Sequence, residues 1–138
     1  MTKITRKIIN EMTYEIVGCA ITVHKELGPG LLESVYEHCM CEELKDKGFY
    51  IKRQQSVPII YRGKILDCEL RYDILVNDLI IVELKAVEIM IPLFKAQLLT
   101  YLKLLEKPKG LLINFNCENI ISQMVPMVTP AFAELPEF

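Results

Sequence analysis

Three charged residues interrupt apolar, strand-like segments of this chain. Asp73 stands in Arg71-Tyr72-Asp73-Ile74-Leu75-Val76, and Glu83 and Lys85 stand in Val82-Glu83-Leu84-Lys85-Ala86. An unpaired charge in a buried strand is costly. Glu83 and Lys85 are two apart, so they share one strand face. An Asp and a Glu on neighbouring strands can hold a hard divalent cation through oxygen ligands. A lysine beside them can orient or help deprotonate a water, or stabilise a charged transition state. A structural Glu–Lys or Asp–Lys ion pair is the simpler alternative.

Register separates the two. Asn77-Asp78 reads as a hairpin turn between two runs rich in Ile, Leu and Val. With a strict two-residue loop, Asp73 faces Val82 and Glu83 points to the other side, because one register step flips the face. The two acids share a face only with a three-residue loop or a bulge. One is therefore expected between residues 74 and 82, and a plain two-residue hairpin would count against a metal site.

Other polar residues could join them. Glu33 opens a helical segment just after Gly28-Pro29-Gly30. It is a candidate third carboxylate, or a first-turn acid favoured by the helix dipole. Gln97 and Tyr101 are i and i+4 and project together from a later helix. His24 lies near the end of the first helix, where a lone histidine is usually structural. Lys52-Arg53 and Arg62-Gly63-Lys64 supply local positive charge that could contact phosphates, or line solvated strand edges.

The elements that must position these groups follow from periodicity. Residues 3–26 read as a helix, with Ile4, Ile8, Ile16, Ala20 and Val23 at helical spacing. Gly28-Pro29-Gly30 breaks it, and a second helix spans about 32–47. The pattern then becomes extended over 49–61, 65–76 and 79–87. Leu79-Ile80-Ile81-Val82 is apolar on both faces and reads as a central buried strand. Pro92 suits a helix start, the helix covers 93–106, and 111–115 is a further buried strand. The fold class is α/β, with a mixed β-sheet in α-α-β-β-β-α-β order. Residues 1–116 are expected to form one domain. Residues 117–138 are expected to be an extension that packs on it or is partly disordered.

Composition sets the limits. The chain has 138 residues, 51% hydrophobic and 25% charged, which describes one globular domain. Sixteen Lys and Arg against 18 Asp and Glu leave a net charge of −2, which argues against a broad cationic surface. The five cysteines, Cys19, Cys39, Cys41, Cys68 and Cys117, lack the paired spacing of a disulfide framework or a zinc site and read as buried thiols. No apolar run reaches the ~20 residues that span a bilayer. Asn10, Glu11 and Glu15 occupy the place of a signal peptide's apolar core, so a cytoplasmic chain with no membrane partner is expected.

Taken together, Asp73 followed by Glu83-Leu84-Lys85 resembles the D-x(n)-(D/E)-x-K signature of the PD-(D/E)XK nuclease superfamily. Gln97-Leu98-Leu99-Thr100-Tyr101 resembles the Q-x-x-x-Y motif of its RecB-type branch. Gly30-Leu31-Leu32-Glu33-Ser34-Val35-Tyr36 is similar to the motif of the GxxExxY family within that superfamily. His24-Lys25-Glu26-Leu27-Gly28-Pro29-Gly30 and Ala96-Gln97-Leu98-Leu99-Thr100-Tyr101-Leu102 extend the likeness over roughly residues 8–116. The resemblance implies a restriction-endonuclease-like core. Asp73, Glu83 and Glu33 would be the metal ligands, for Mg²⁺ with Mn²⁺ able to substitute, and Lys85 the catalytic lysine. Gln97, Tyr101 and His24 would support the site or contact nucleic acid. Phe94 departs from the pattern, since relatives often carry His there.

Two functions stay open. One is a Mg²⁺-dependent phosphodiesterase acting on nucleic acid, DNA or else RNA. The other is a catalytically inactive module of the same fold that binds nucleic acid or protein, for which the low net charge and acidic tail speak. A homodimer is one way for so small a domain to build a substrate groove.

Overall fold

The structure, a computed structural model, describes residues 3–138; the first two residues of the expected 1–116 domain lie outside the described residues. Two helices that pack on one another come first. α1 (Arg6–Leu27) is capped by Thr5, whose hydroxyl accepts from Ile8 N, and ends at Gly28, whose φ of 66° only glycine adopts at little cost. α2 (Glu33–Asp46) follows the Gly28-Pro29-Gly30 break. Tyr36 ties that break down: its hydroxyl donates to Gly28 O (2.6 Å) and accepts from Leu31 N (3.1 Å). The ring is fully buried and stacks on Phe115, 4.6 Å between centroids.

Five strands make the main sheet, in the order β1-β4-β5-β6-β7. They are β1 (Ile51–Arg53), β4 (Ile74–Val76), β5 (Ile80–Lys85), β6 (Lys109–Asn114) and β7 (Met124–Val128). β5 and β6 run parallel, joined across the sheet by α3 (Pro92–Leu104), and the other pairs are antiparallel. Alternation sorts the side chains. Ile74, Val76, Ile80, Val82 and Leu84 pack with α1 and α2, and Leu75, Ile81 and Leu112 pack with Leu98, Tyr101 and Leu102 of α3. β5 is therefore buried on both faces, as its apolar run implied. No helix among the described residues is long and apolar enough to cross a membrane.

The first two extended segments differ from the sequence reading. Each is broken in two, and β2 (Ile59–Tyr61) with β3 (Lys64–Leu66) forms a separate ribbon. A Ser56–Arg71 bridge links the ribbon to the β1–β4 pair. Two residues separate Ser56 from Ile59, but four separate Leu66 from Arg71, so the returning side bulges. Gln54 (φ 50°) and Glu69 (φ 57°) supply the bends without a glycine to announce them. Within residues 117–138, the chain adds β7 to the sheet edge and then α4 (Pro130–Glu134). Pro136 O and Glu137 O accept the backbone N–H of Arg6 and Lys7.

α3 lies close on the sheet because β6 carries Gly110. A Cβ there would stand 2.9 Å from Leu102 Cδ1 and 3.0 Å from Leu98 Cδ1, inside van der Waals contact. Gly110→Val should push α3 away and lower stability by ~1–3 kcal/mol, read as an earlier midpoint in urea unfolding. An unchanged midpoint would mean that α3 is not seated on this glycine.

Candidate functional site

The β4–β5 connection decides whether the acids meet. Val76 pairs with Ile80, which leaves Asn77, Asp78 and Leu79 in the loop. Asn77 and Asp78 take positive φ (49° and 61°), and Leu79 N donates to Val76 O (3.0 Å). Of the two devices that could bring the acids to one face, a bulge or a three-residue loop between residues 74 and 82, the chain uses the loop. It sets Ile74 against Val82, so the next step brings Asp73 level with Glu83 on the face that α3 covers.

There the backbone ladder gives way to side chains. Asp73 N donates to Glu83 Oε2 (2.6 Å), and Leu84 N donates to Asp73 Oδ2 (2.8 Å). Each acid is thus fixed by a backbone N–H of the other's strand. Glu83 is only 4% exposed, and burial first, then the charge of Asp73, push its carboxyl up to about 8. Asp73 is raised as well, chiefly by burial, against the lowering effect of its hydrogen bonds. The pair is two hard oxygen donors short of positive charge.

Lys85 does not neutralise them by contact. It joins none of the ion pairs among the described residues, which removes the simple Glu–Lys or Asp–Lys pair of the sequence reading. Its charge still lowers both carboxyls from a distance. Its ammonium stands 4.5 Å from the centroid of the Phe94 ring, which gives it a cation–π seat.

The remaining candidates fall in three positions. Tyr101 is buried under the acids: burial, then the charges of Glu83 and Asp73, raise its phenol. Gln97 lies half-buried one turn earlier on α3. Glu33, exposed in the first turn of α2, lines a cavity of about 280 Å³ together with Ser34, Glu37, Gln54, Asp73 and Leu84. His24 is not among those lining residues. Its Nε2 donates to Cys117 O (2.7 Å), and its ring lies beside Phe115, a structural engagement.

Two lining residues escaped the sequence reading. Glu37 is 7% exposed, with Oε2 held by Arg53 Nη2 (2.7 Å) and Nε (3.1 Å). Gln54 Nε2 donates both to Glu37 Oε1 (2.6 Å) and to Asp73 Oδ1 (3.2 Å). Glu37 sits four residues after Glu33 on the same helix, which is the one local signal that could have drawn attention to it.

No group of three or more His, Cys, Asp or Glu among the described residues is placed to hold a metal ion together, so Glu33 does not close on Asp73 and Glu83 as the third ligand that the resemblance implied. The donor set therefore does not fit a closed zinc centre. It fits Mg²⁺ or Mn²⁺, which are commonly held by one or two carboxylates while waters fill the other positions.

A family model for the PD-(D/E)XK nuclease superfamily matches residues 10–125. The chain belongs to that superfamily. Asp73 and Glu83-Leu84-Lys85 are the residues that fit the acid–acid–lysine pattern in the superfamily's name, and the mixed sheet with flanking helices is consistent with its restriction-endonuclease-like fold. No curated protein and no solved structure matches the chain significantly.

The raised Glu83 carboxyl has a consequence for stability. The folded chain holds a proton that the unfolded chain releases at ordinary carboxylate pH. Without metal, stability should therefore fall as pH rises from the ordinary carboxylate range (~4–5) through about 8. Glu83→Gln should flatten that slope to the part that Asp73 contributes, and melt later than the wild type above pH 8. Parallel melting curves of the two proteins from pH 5 to 9 would refute the assignment.

Proposed function

We propose that the chain is a Mg²⁺-dependent phosphodiesterase that cleaves DNA, of the GxxExxY branch of its superfamily. The observation that carries this is the meeting of Asp73 and Glu83, at the ends of β4 and β5, on the face from which Lys85 also projects. The branch assignment is supported by the structural sense of its motif. Gly30 takes a φ of 100°, Tyr36 secures the loop, and Glu33 is turned onto the cavity that Asp73 lines.

Asp73 and Glu83 would hold the Mg²⁺, with Mn²⁺ substituting and Glu33 supporting a ligand water from the rim. Bound there, the ion would polarise a phosphodiester and acidify a water. Lys85 supplies a cation that no carboxylate occupies, free to bind a non-bridging phosphate oxygen or to orient the attacking water. Phe94 fixes where that ammonium sits. Tyr101 keeps bulk water off the acids from the α3 side, and Gln97 offers an amide to the backbone of the substrate. A cytoplasmic location agrees with a nucleic-acid substrate.

A second reading, an inactive module that docks a partner or a second copy, draws on a different observation. Leu32 (73% exposed), Ile89 (73%) and Leu93 (67%) are bare aliphatic side chains on the loops and helix starts beside the site.

Cleavage of single- and double-stranded DNA and of RNA, with Mg²⁺, Mn²⁺ or EDTA, separates the two. Metal-dependent DNA cleavage is expected. Asp73→Ala and Lys85→Ala should each lower its rate at least ~10²-fold while the proteins remain folded by melting temperature. No cleavage of any substrate, or cleavage that survives both substitutions, would leave the binding module.

A further inference from the structure

The acid pair is not held by backbone alone, and we infer that Gln54 is a positioning residue for Asp73, aligned in turn by Glu37 and Arg53. The inference rests on the reading of Asp73 as a metal ligand. Gln54 lies opposite Asp73, its N–H donating to Asp73 O (3.0 Å). Its φ of 50° is a conformation that side chains other than glycine and asparagine seldom take. That bend turns the amide back under the sheet end, where one nitrogen serves two carboxylates.

The direction of the chain of contacts is set by Glu37. Arg53 occupies Glu37 Oε2 with two donors, so Oε1 is the oxygen left for Gln54. The short bond there, 2.6 Å, fixes which end of the Gln54 amide faces inward. The second hydrogen of the same nitrogen then reaches Asp73 Oδ1 at 3.2 Å. Leu84 N holds Oδ2, and Gln54 provides the only side-chain donor to Asp73 among the described residues. With both oxygens fixed, the carboxylate plane cannot swing, and the remaining lone pairs have one direction to offer a cation. Groups that orient a metal-ligating carboxylate in this way are worth about 10–100-fold in metal affinity. Gln54, Glu37 and Asp73 line one cavity, so the support lies against the site itself.

A residue that only shaped the bend would behave differently, and glycine distinguishes the two. Gln54→Gly accepts a positive φ freely but has no amide. Mn²⁺ is titrated calorimetrically into the wild type and Gln54→Gly, melting temperatures are recorded, and DNA cleavage is followed against Mn²⁺ concentration. The expected result is a Mn²⁺ Kd about 10–100-fold weaker in Gln54→Gly with an unchanged melting temperature. The cleavage rate should return close to that of the wild type at saturating metal. Gln54→Asn, which also tolerates positive φ but is one methylene too short to bridge, should show the same weakening if the glycine variant folds poorly. Equal Mn²⁺ affinities in wild type and variants would overturn this inference alone. Failure of the wild type to bind Mn²⁺ would overturn the metal-dependent function and this inference with it.

Discussion

The reciprocal hold between Asp73 and Glu83 is the constraint on which the rest of the site depends. Each carboxylate takes a backbone N–H from the strand that carries the other, at the point where β4 stops pairing with β5. That arrangement exists only because three residues, not two, turn the hairpin. A loop one residue shorter would send Glu83 to the α1–α2 face and leave Asp73 facing an apolar partner. Asn77 holds the turn from outside, accepting Tyr50 N on its side chain (2.8 Å) and donating its own N–H to Tyr50 O. Asp78 receives Lys52 and Lys107 from two further elements.

The same hold makes the site unfavourable to the fold that carries it. Burial raises both carboxyls, the charge of Asp73 raises Glu83 further, that of Glu37 raises Asp73, and no basic side chain among the described residues reaches ion-pair distance of the pair. Elsewhere the chain meets buried charge in the usual way, as when Arg53 takes two hydrogen bonds to Glu37. An unmet need for positive charge where two buried carboxyls meet is the pattern expected of a functional site. Phe94 contributes to it by giving the Lys85 ammonium a resting place that is not an anion.

Much of the architecture was legible from local pattern. The three main helices follow apolar spacing and their breakers: Gly28 ends α1, Pro92 starts α3, and the first half of β5 shows its burial in the apolar run Leu79-Ile80-Ile81-Val82. The strands of the first hairpin were not legible as they stand. Their bends fall at Gln54 and Glu69, residue types that do not advertise a positive φ, so only the pairing of distant residues creates the break. Glu37 was hidden for the same reason. On α2 it looks like a solvated acid, and its burial depends on Arg53 and Gln54 arriving from β1. His24 illustrates the converse. Its place in the motif pointed to the site, but a carbonyl beyond β6 engages its ring nitrogen instead.

The proposed function requires Asp73 and Glu83 together to seat a divalent cation. Crystals of the protein equilibrated with Mn²⁺ and measured at the manganese absorption edge would test it most directly. One strong anomalous peak is expected about 2.0–2.3 Å from a carboxylate oxygen of each acid, with waters completing the shell. A peak held by Glu33 and Glu37 without them, or no peak at saturating Mn²⁺, would contradict it.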